Sequence, residues 1–153
     1  MAQIRGKDCP INILNIYAPY KNRIPFWEKL FASEILEIEF LMIARDLNAT
    51  LNTDESWGIN RKKDPLADRI RFELLHRNLV DIRPPKMLST WDNGRIDGAY
   101  IAKRLDRFIL HVSIIDRLGM PSSTIGNVFI SDHRPILLSW REKGTLSNLI
   151  GHG

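Results

Sequence analysis

Two short runs, apolar on both alternating faces, bracket an amphipathic helical pattern, and this arrangement constrains the fold more than any other feature of the chain. Residues 11 to 17 (Ile-Asn-Ile-Leu-Asn-Ile-Tyr) put β-branched and apolar side chains on both faces, as a strand covered on both sides requires, and Ala18-Pro19 ends the run. Phe40-Leu41-Met42-Ile43 is a second continuous apolar run and reads as another buried strand. Between them Trp27, Leu30, Phe31, Ile35 and Ile38 recur at three- and four-residue steps, with Glu28, Lys29, Glu34 and Glu37 interspersed, so a helix is expected from Phe26 to Ile38. Such a helix covers one face of a sheet.

The rest of the chain extends the same alternation. Asp64-Pro65 looks like an N-cap with proline in the first turn, and a helix follows from Pro65 to about Asn78 with Leu66, Ile70, Leu74 and Leu75 on one side. Strands are expected at Ser89-Thr90-Trp91, at Leu105 to Leu110, and at Val128 to Trp140 with an interruption around Asp132-His133-Arg134-Pro135. Strand, helix, strand, helix, then several strands predicts an α/β layered sandwich. Residues 49 to 63 carry no periodicity, no repeat is visible, and Glu142 to Gly153 reads as a flexible polar tail. The organisation expected is one domain over residues 1–141 followed by the tail 142–153.

At 153 residues, with 44% hydrophobic and 26% charged content, the chain has enough apolar side chain for one core. Its 22 basic against 18 acidic residues give a net charge of +4, which favours polyanionic partners without naming one. Cys9 is the only cysteine, so no internal disulfide forms, and neither a Cys/His zinc pattern nor an HExxH helix occurs. No signal peptide is visible, and the longest apolar run, Phe40 to Ala44, is too short to cross a bilayer, so an intracellular protein without membrane contact is expected.

Polar groups at the ends of buried strands are the candidates for chemistry. Asp46 and Asn48 follow the second apolar run; an extended backbone would send both side chains to one side, but read alone the pair is better served by an Asx-turn. Asp106 interrupts a strand with Phe108 and Leu110 at alternate positions, and a buried carboxylate there needs a partner: His133, or, on an even footing, an ion pair with Arg104 or Arg107. Asp132-His133 adds a second carboxylate beside the one histidine of four that adjoins both an acid and a strand break, though a turn motif serves those residues equally. Phosphodiester hydrolysis needs a positioned water, donors for the transition state and an offset to phosphorus-oxygen charge, and magnesium takes its ligands from carboxylates.

Four ordered segments resemble the endonuclease/exonuclease/phosphatase (DNase I-like) superfamily. Asn15-Ile16-Tyr17-Ala18-Pro19 is similar to its tyrosine strand and Asp46-Leu47-Asn48 to its Gly-Asp-Phe/Leu-Asn motif. Arg104-Leu105-Asp106-Arg107-Phe108 is similar to its Arg-Leu-Asp strand and Ser131-Asp132-His133-Arg134-Pro135-Ile136 to its terminal signature. Asp46 through Leu51 followed by Asp54-Glu55, and the blocks Leu79-Val80-Asp81, Thr90-Trp91-Asp92-Asn93 and Ile101 through Asp106, look like plant non-LTR (LINE-type) retrotransposon endonuclease domains in particular.

The resemblance implies a partial four-layered α/β sandwich lacking the family's N-terminal strands, which carry an asparagine and a metal-binding glutamate. It implies that Tyr17 supports the transition state, Asp46 positions the attacking water, Asn48 binds phosphate, Asp106 orients His133, His133 contacts the scissile phosphate, and Asp132 helps hold Mg2+ or Mn2+. The expected activity is DNA nicking of the LINE type, impaired by the missing strands, in a nuclear protein. Two alternatives stand beside it: an inactive remnant or binding module using Arg61-Lys62-Lys63 for salt-sensitive nucleic-acid contact, and a phosphatase acting on a small phosphorylated substrate. Arg45 departs from the family's glycine before the aspartate and demands space or a different backbone geometry there. Other basic residues, among them Arg69, Lys103 and Arg107, are expected to be solvated surface.

Overall fold

The computed structural model describes residues 2–5, 10–59, 61–127 and 130–141. In chain order its elements are β1 (Ala2–Arg5), β2 (Pro10–Asn15), α1 (Arg23–Phe31), β3 (Leu41–Asp46), β4 (Ser56–Gly58), α2 (Ala67–His76), β5 (Leu79–Asp81), β6 (Trp91–Asp92), β7 (Ile101–Lys103), β8 (Asp106–His111), α3 (Val112–Leu118), β9 (Ser122–Ile125) and β10 (Ile136–Ser139). The main sheet has the order β1-β2-β3-β8-β5, with β2 and β3 parallel and the other pairs antiparallel. Two smaller sheets, β4-β7-β6 and β10-β9, accompany it.

The main sheet separates two cores, which is why its central strands are apolar on both faces. On one side Leu41, Ile43 and Ile109 meet Trp27 and Phe31 of α1 and Ile70 and Leu74 of α2. On the other, Met42 and Leu110 meet Ile114 of α3, with Leu138 of β10 packed against them. The small sheets are tied to each other by a bridge between Trp91 and His133. Helical layer, main sheet, then α3 with β10 is the mixed α/β arrangement expected.

Several local expectations differ in detail. The helix expected over Phe26–Ile38 stops at Phe31, because Ser33 is extended and its hydroxyl accepts the N–H of Ile35 (3.1 Å), opening a separate 3-10 turn at Glu34–Glu37 that buries Leu36. Asp64, expected as the N-cap, accepts Leu66 N (2.9 Å) in a turn that precedes the second helix, while Arg23 holds its carboxylate at 2.7 Å; the helix begins at Ala67 with Leu66 at its cap position and no side-chain cap bond. Leu75, expected on the buried side, is 78% exposed. Of the strand expected over Val128–Trp140, residues 128 and 129 lie outside the described residues, Ile130 to Asp132 bend, His133 makes only the isolated bridge to Trp91, and the strand itself is Ile136–Ser139. The tail 142–153 also lies outside the described residues. β1, paired antiparallel with β2, was not legible as a strand.

Candidate active site

Register places two carboxylates side by side. β3 ends and β8 begins with Asp46 directly opposite Asp106 across an antiparallel pair, so both side chains leave the same face at one end of the main sheet. His133 arrives from the bend before β10. Its Nδ1 lies 2.8 Å from Asp106 Oδ2, and its Nε2 lies 4.0 Å from Asp46 Oδ2. The imidazole therefore stands between the two carboxylates, bonded to one and facing the other. Asp106 thus pairs with His133 rather than with Arg104 or Arg107.

Asp46 is 3% exposed, and burial pushes its pKa above the ordinary value. The neighbouring Asp106 charge pushes the same way, while the Asn48 N–H, His133 and Arg45 oppose the rise. Asp46 Oδ1 accepts that N–H at 2.7 Å, so the segment forms the Asx-turn. Asn48 is accordingly left-handed (φ 45°) rather than extended, and the idea that an extended chain aims both side chains together does not hold. Its amide Nδ2 donates to the Ala18 carbonyl at 2.5 Å, clamping the end of β3 to the segment after β2.

Tyr17 lies in that segment, between Ile16, which donates to Ala44 O (3.1 Å), and Ala18, which donates to Asp46 O (2.9 Å). Its side chain is 69% exposed. Asp132 is exposed, and its Oδ2 accepts from Trp91 Nε1 at 3.0 Å. Among the described residues no group of three or more His, Cys, Asp or Glu side chains is arranged to hold a metal ion. The described donors do not by themselves fit a divalent cation.

Arg104 and Arg107 are not solvated surface. Both are buried, and with Glu55 and Asp81 they form a four-membered charge network. Arg104 Nη1 lies 2.7 Å from Glu55 Oε1 and 2.8 Å from Asp81 Oδ2; Arg107 Nη2 lies 3.1 Å from Glu55 Oε2, and its Nη1 2.9 Å from Asp81 Oδ2. Burial works to raise the Glu55 pKa, but Arg107, Arg104 and the Leu51 N–H outweigh it and bring it down to about 2. Asp81 is lowered too, its burial outweighed by the same two guanidinia. The residues flanking Asp106 in sequence thus anchor its strand from beneath.

Thr90 was missed as a site residue. Fully buried, its Oγ1 accepts the N–H groups of both Leu105 and Asp106 at 2.9 Å, and its carbonyl accepts Arg134 N at 2.7 Å. One residue thereby fixes the backbone on both sides of the Asp106–His133 contact. The sequence signal was a β-branched hydroxyl residue beside Trp91 in a short strand; nothing local showed which N–H groups it would serve.

No protein-family model and no curated protein matches the sequence. Among solved structures the chain is similar to the endonuclease domain of TRAS1, a telomere-specific non-LTR retrotransposon, with a TM-score of 0.70 at 17% identity over 91% of this chain. This chain spans 59% of that one. The two-core sheet and this likeness agree, and the chain shares the α/β fold of that domain over the part it spans.

Proposed function

We propose that the chain hydrolyses phosphodiester bonds in DNA, as a nicking endonuclease domain of the retrotransposon type. The observation that carries this reading is His133, held at 2.8 Å by Asp106 with its other ring nitrogen facing Asp46. With both ring nitrogens protonated, Nδ1–H is satisfied by Asp106 and Nε2–H is left to donate to a phosphate oxygen. A water oriented by Asp46 gives a proton to that carboxylate as it adds to phosphorus. The opposite P–O bond breaks with its electron pair going to the departing oxygen, which takes a proton from solvent, and the His133 donor stabilises the charge that builds on the phosphoryl oxygens. Losing one such donor costs about 3 kcal/mol of barrier. Tyr17, exposed one residue before Ala18, is a further candidate donor, and Asn48 contributes through the amide capacity that Ala18 leaves free. Asp132 is the carboxylate to test for Mg2+ or Mn2+, with further ligands required from outside the described set. Action on chromosomal DNA would place the protein in the nucleus.

Supercoiled plasmid, with and without Mg2+, tests the reading. Wild type should nick, His133→Ala should be slower by about two orders of magnitude or more, and Asp106→Asn should fall with it. Wild-type nicking no faster than His133→Ala would overturn the proposal.

A second reading, binding without hydrolysis, is favoured by the incomplete donor set for a metal. A low-salt gel shift with no accompanying nicking would select it, and the exposed Arg61-Lys62-Lys63 run is where its contacts would be sought.

A further inference from the structure

Arg45, immediately before Asp46, has φ 103° although it lies in regular register opposite Arg107 of β8. That backbone region favours glycine and disfavours every L side chain. Strain of this kind persists where the surroundings fix it, and it clusters at sites that use it. The Arg45 side chain is exposed and enters none of the ion pairs found among the described residues.

The groove that Arg45 lines, about 450 Å3, also receives Asn15, Phe108, Asp106 and Arg134. Arg134 likewise enters none of those ion pairs, and its Nε is buried without a hydrogen-bond partner. The carboxylate on the wall, Asp106, is already engaged by His133. Two guanidinia outside those ion pairs thus line one open groove, whose wall includes Asp106, the carboxylate that holds His133. Beneath them Ile13, Phe108 and Ile136 form an apolar floor. Arginine outside a close ion pair is a fork matched to phosphate oxygens, and an apolar floor suits a sugar or the face of a base. A further protein segment is a poorer occupant, because covering both guanidinia without an anion would strip them of water uncompensated.

We propose that Arg45 and Arg134 form a phosphate-binding subsite for a nucleic-acid strand, holding a phosphodiester next to the one presented to His133. The subsite rests on the nuclease reading for its place along the strand, and it accounts for a strained arginine where glycine would be easier.

Binding of a fluorescently labelled DNA oligonucleotide by the 153-residue chain, followed by anisotropy in EDTA so that no cleavage intervenes, tests the subsite. Arg45→Gly removes the charge and relieves the backbone; Arg45→Met removes the charge and keeps the backbone problem. Both should weaken binding by about tenfold or more, as should Arg134→Gln, and each should reduce the slope of log Kd against log salt by about one. Thermal melts confirm that Arg45→Gly remains folded. Inorganic phosphate should compete only at far higher concentration than unlabelled oligonucleotide. Equal oligonucleotide affinity in wild type and both Arg45 variants would overturn the proposal, and so would competition by phosphate as effective as by oligonucleotide. Arg45-dependent binding in a chain that never nicks would leave the subsite standing and remove the hydrolytic reading; nicking with Arg45-independent binding would do the reverse.

Discussion

Replacing Glu55 by glutamine removes one charge from the network beneath Asp106. The Glu55 side chain is fully buried and accepts from Arg104 Nη1 at 2.7 Å, Arg107 Nη2 at 3.1 Å, Leu51 N at 2.6 Å and Asn52 N at 3.2 Å. Glutamine keeps the shape but puts an NH2 group where one acceptor stood, so either the guanidinium groups or the two backbone N–H groups face another donor. Asp81 is then the remaining carboxylate for two buried guanidinia, a loss that costs about 3–5 kcal/mol. The acidity of Glu55 gives an independent figure. Its pKa falls from 4.5 to about 2, and at ~1.4 kcal/mol for each tenfold change in acidity that fall corresponds to about 3.5 kcal/mol. Because the folded value is depressed, this stability is complete above pH 4.5 and lost as the pH falls towards 2. Against a total of about 5–15 kcal/mol, Glu55→Gln should still fold at neutral pH, with its urea midpoint lowered by about 2 M. Its acid unfolding between pH 4.5 and 2 should be shallower than wild type, since within the network only Asp81 then carries a depressed acidity. A loss below about 1 kcal/mol at neutral pH, or an unchanged acid profile, would refute the account.

Thr90→Val keeps the shape but leaves the Leu105 and Asp106 N–H groups buried and unpaired, so stability should fall by about 2–4 kcal/mol in urea, with Thr90→Ser restoring most of it. Nicking should fall in the same order if the frame around Asp106 sets the His133 contact. Asp46→Asn should raise neutral-pH stability while abolishing nicking: the folded pKa is raised, so ionised Asp46 subtracts stability once the pH passes the unfolded value of 3.8. Urea midpoints of this variant and wild type should coincide near pH 3 and separate by pH 7; a gap that is absent or reversed at pH 7 would contradict the burial argument. Arg45→Gly should gain about 1–2 kcal/mol by relieving φ 103°, and an unchanged midpoint would show that the position is not strained.

The outline was legible because it rests on apolar patterning. The two-faced runs before Ala18 and around Met42 can lie only inside a sheet with packing on both sides, and they became β2 and β3. The order of Asp46, Asp106 and His133 was legible as motif, but their partners were not, because a pairing is a property of register. Arg107 looks in sequence like any surface cation; it is buried because β8 lies between β3 and β5, with Glu55 brought under it from a segment that has no periodicity at all. The split of the first helix was invisible to a three-to-four-residue count, since Ile35 and Ile38 satisfy that count whether the turn is α or 3-10, whereas the residue buried there is Leu36, which the count passes over. Arg45 stood out as a misfit, and the positive φ is the physical form of that misfit.

Desolvation and backbone strain both collect at the end of β3, and the hydrogen bonding explains how they are sustained. Around Asp46 the chain is tied in three directions: Ala18 N to Asp46 O, Leu47 N to Leu105 O, and the Asn48 amide to Ala18 O. Residues left-handed in φ flank this clamp on both sides, at Arg45 and Asn48, so the clamp fixes the geometry and the strain is its consequence. A second frame, built from Thr90 and the Glu55–Arg104–Arg107–Asp81 network, holds the start of β8. His133 spans the two frames, bonded to Asp106 on one and 4.0 Å from Asp46 on the other. Because that second distance is too long for a hydrogen bond, the frames rather than a direct contact set it. The relation between the donor on His133 and the water held by Asp46 is therefore a property of the whole sheet end.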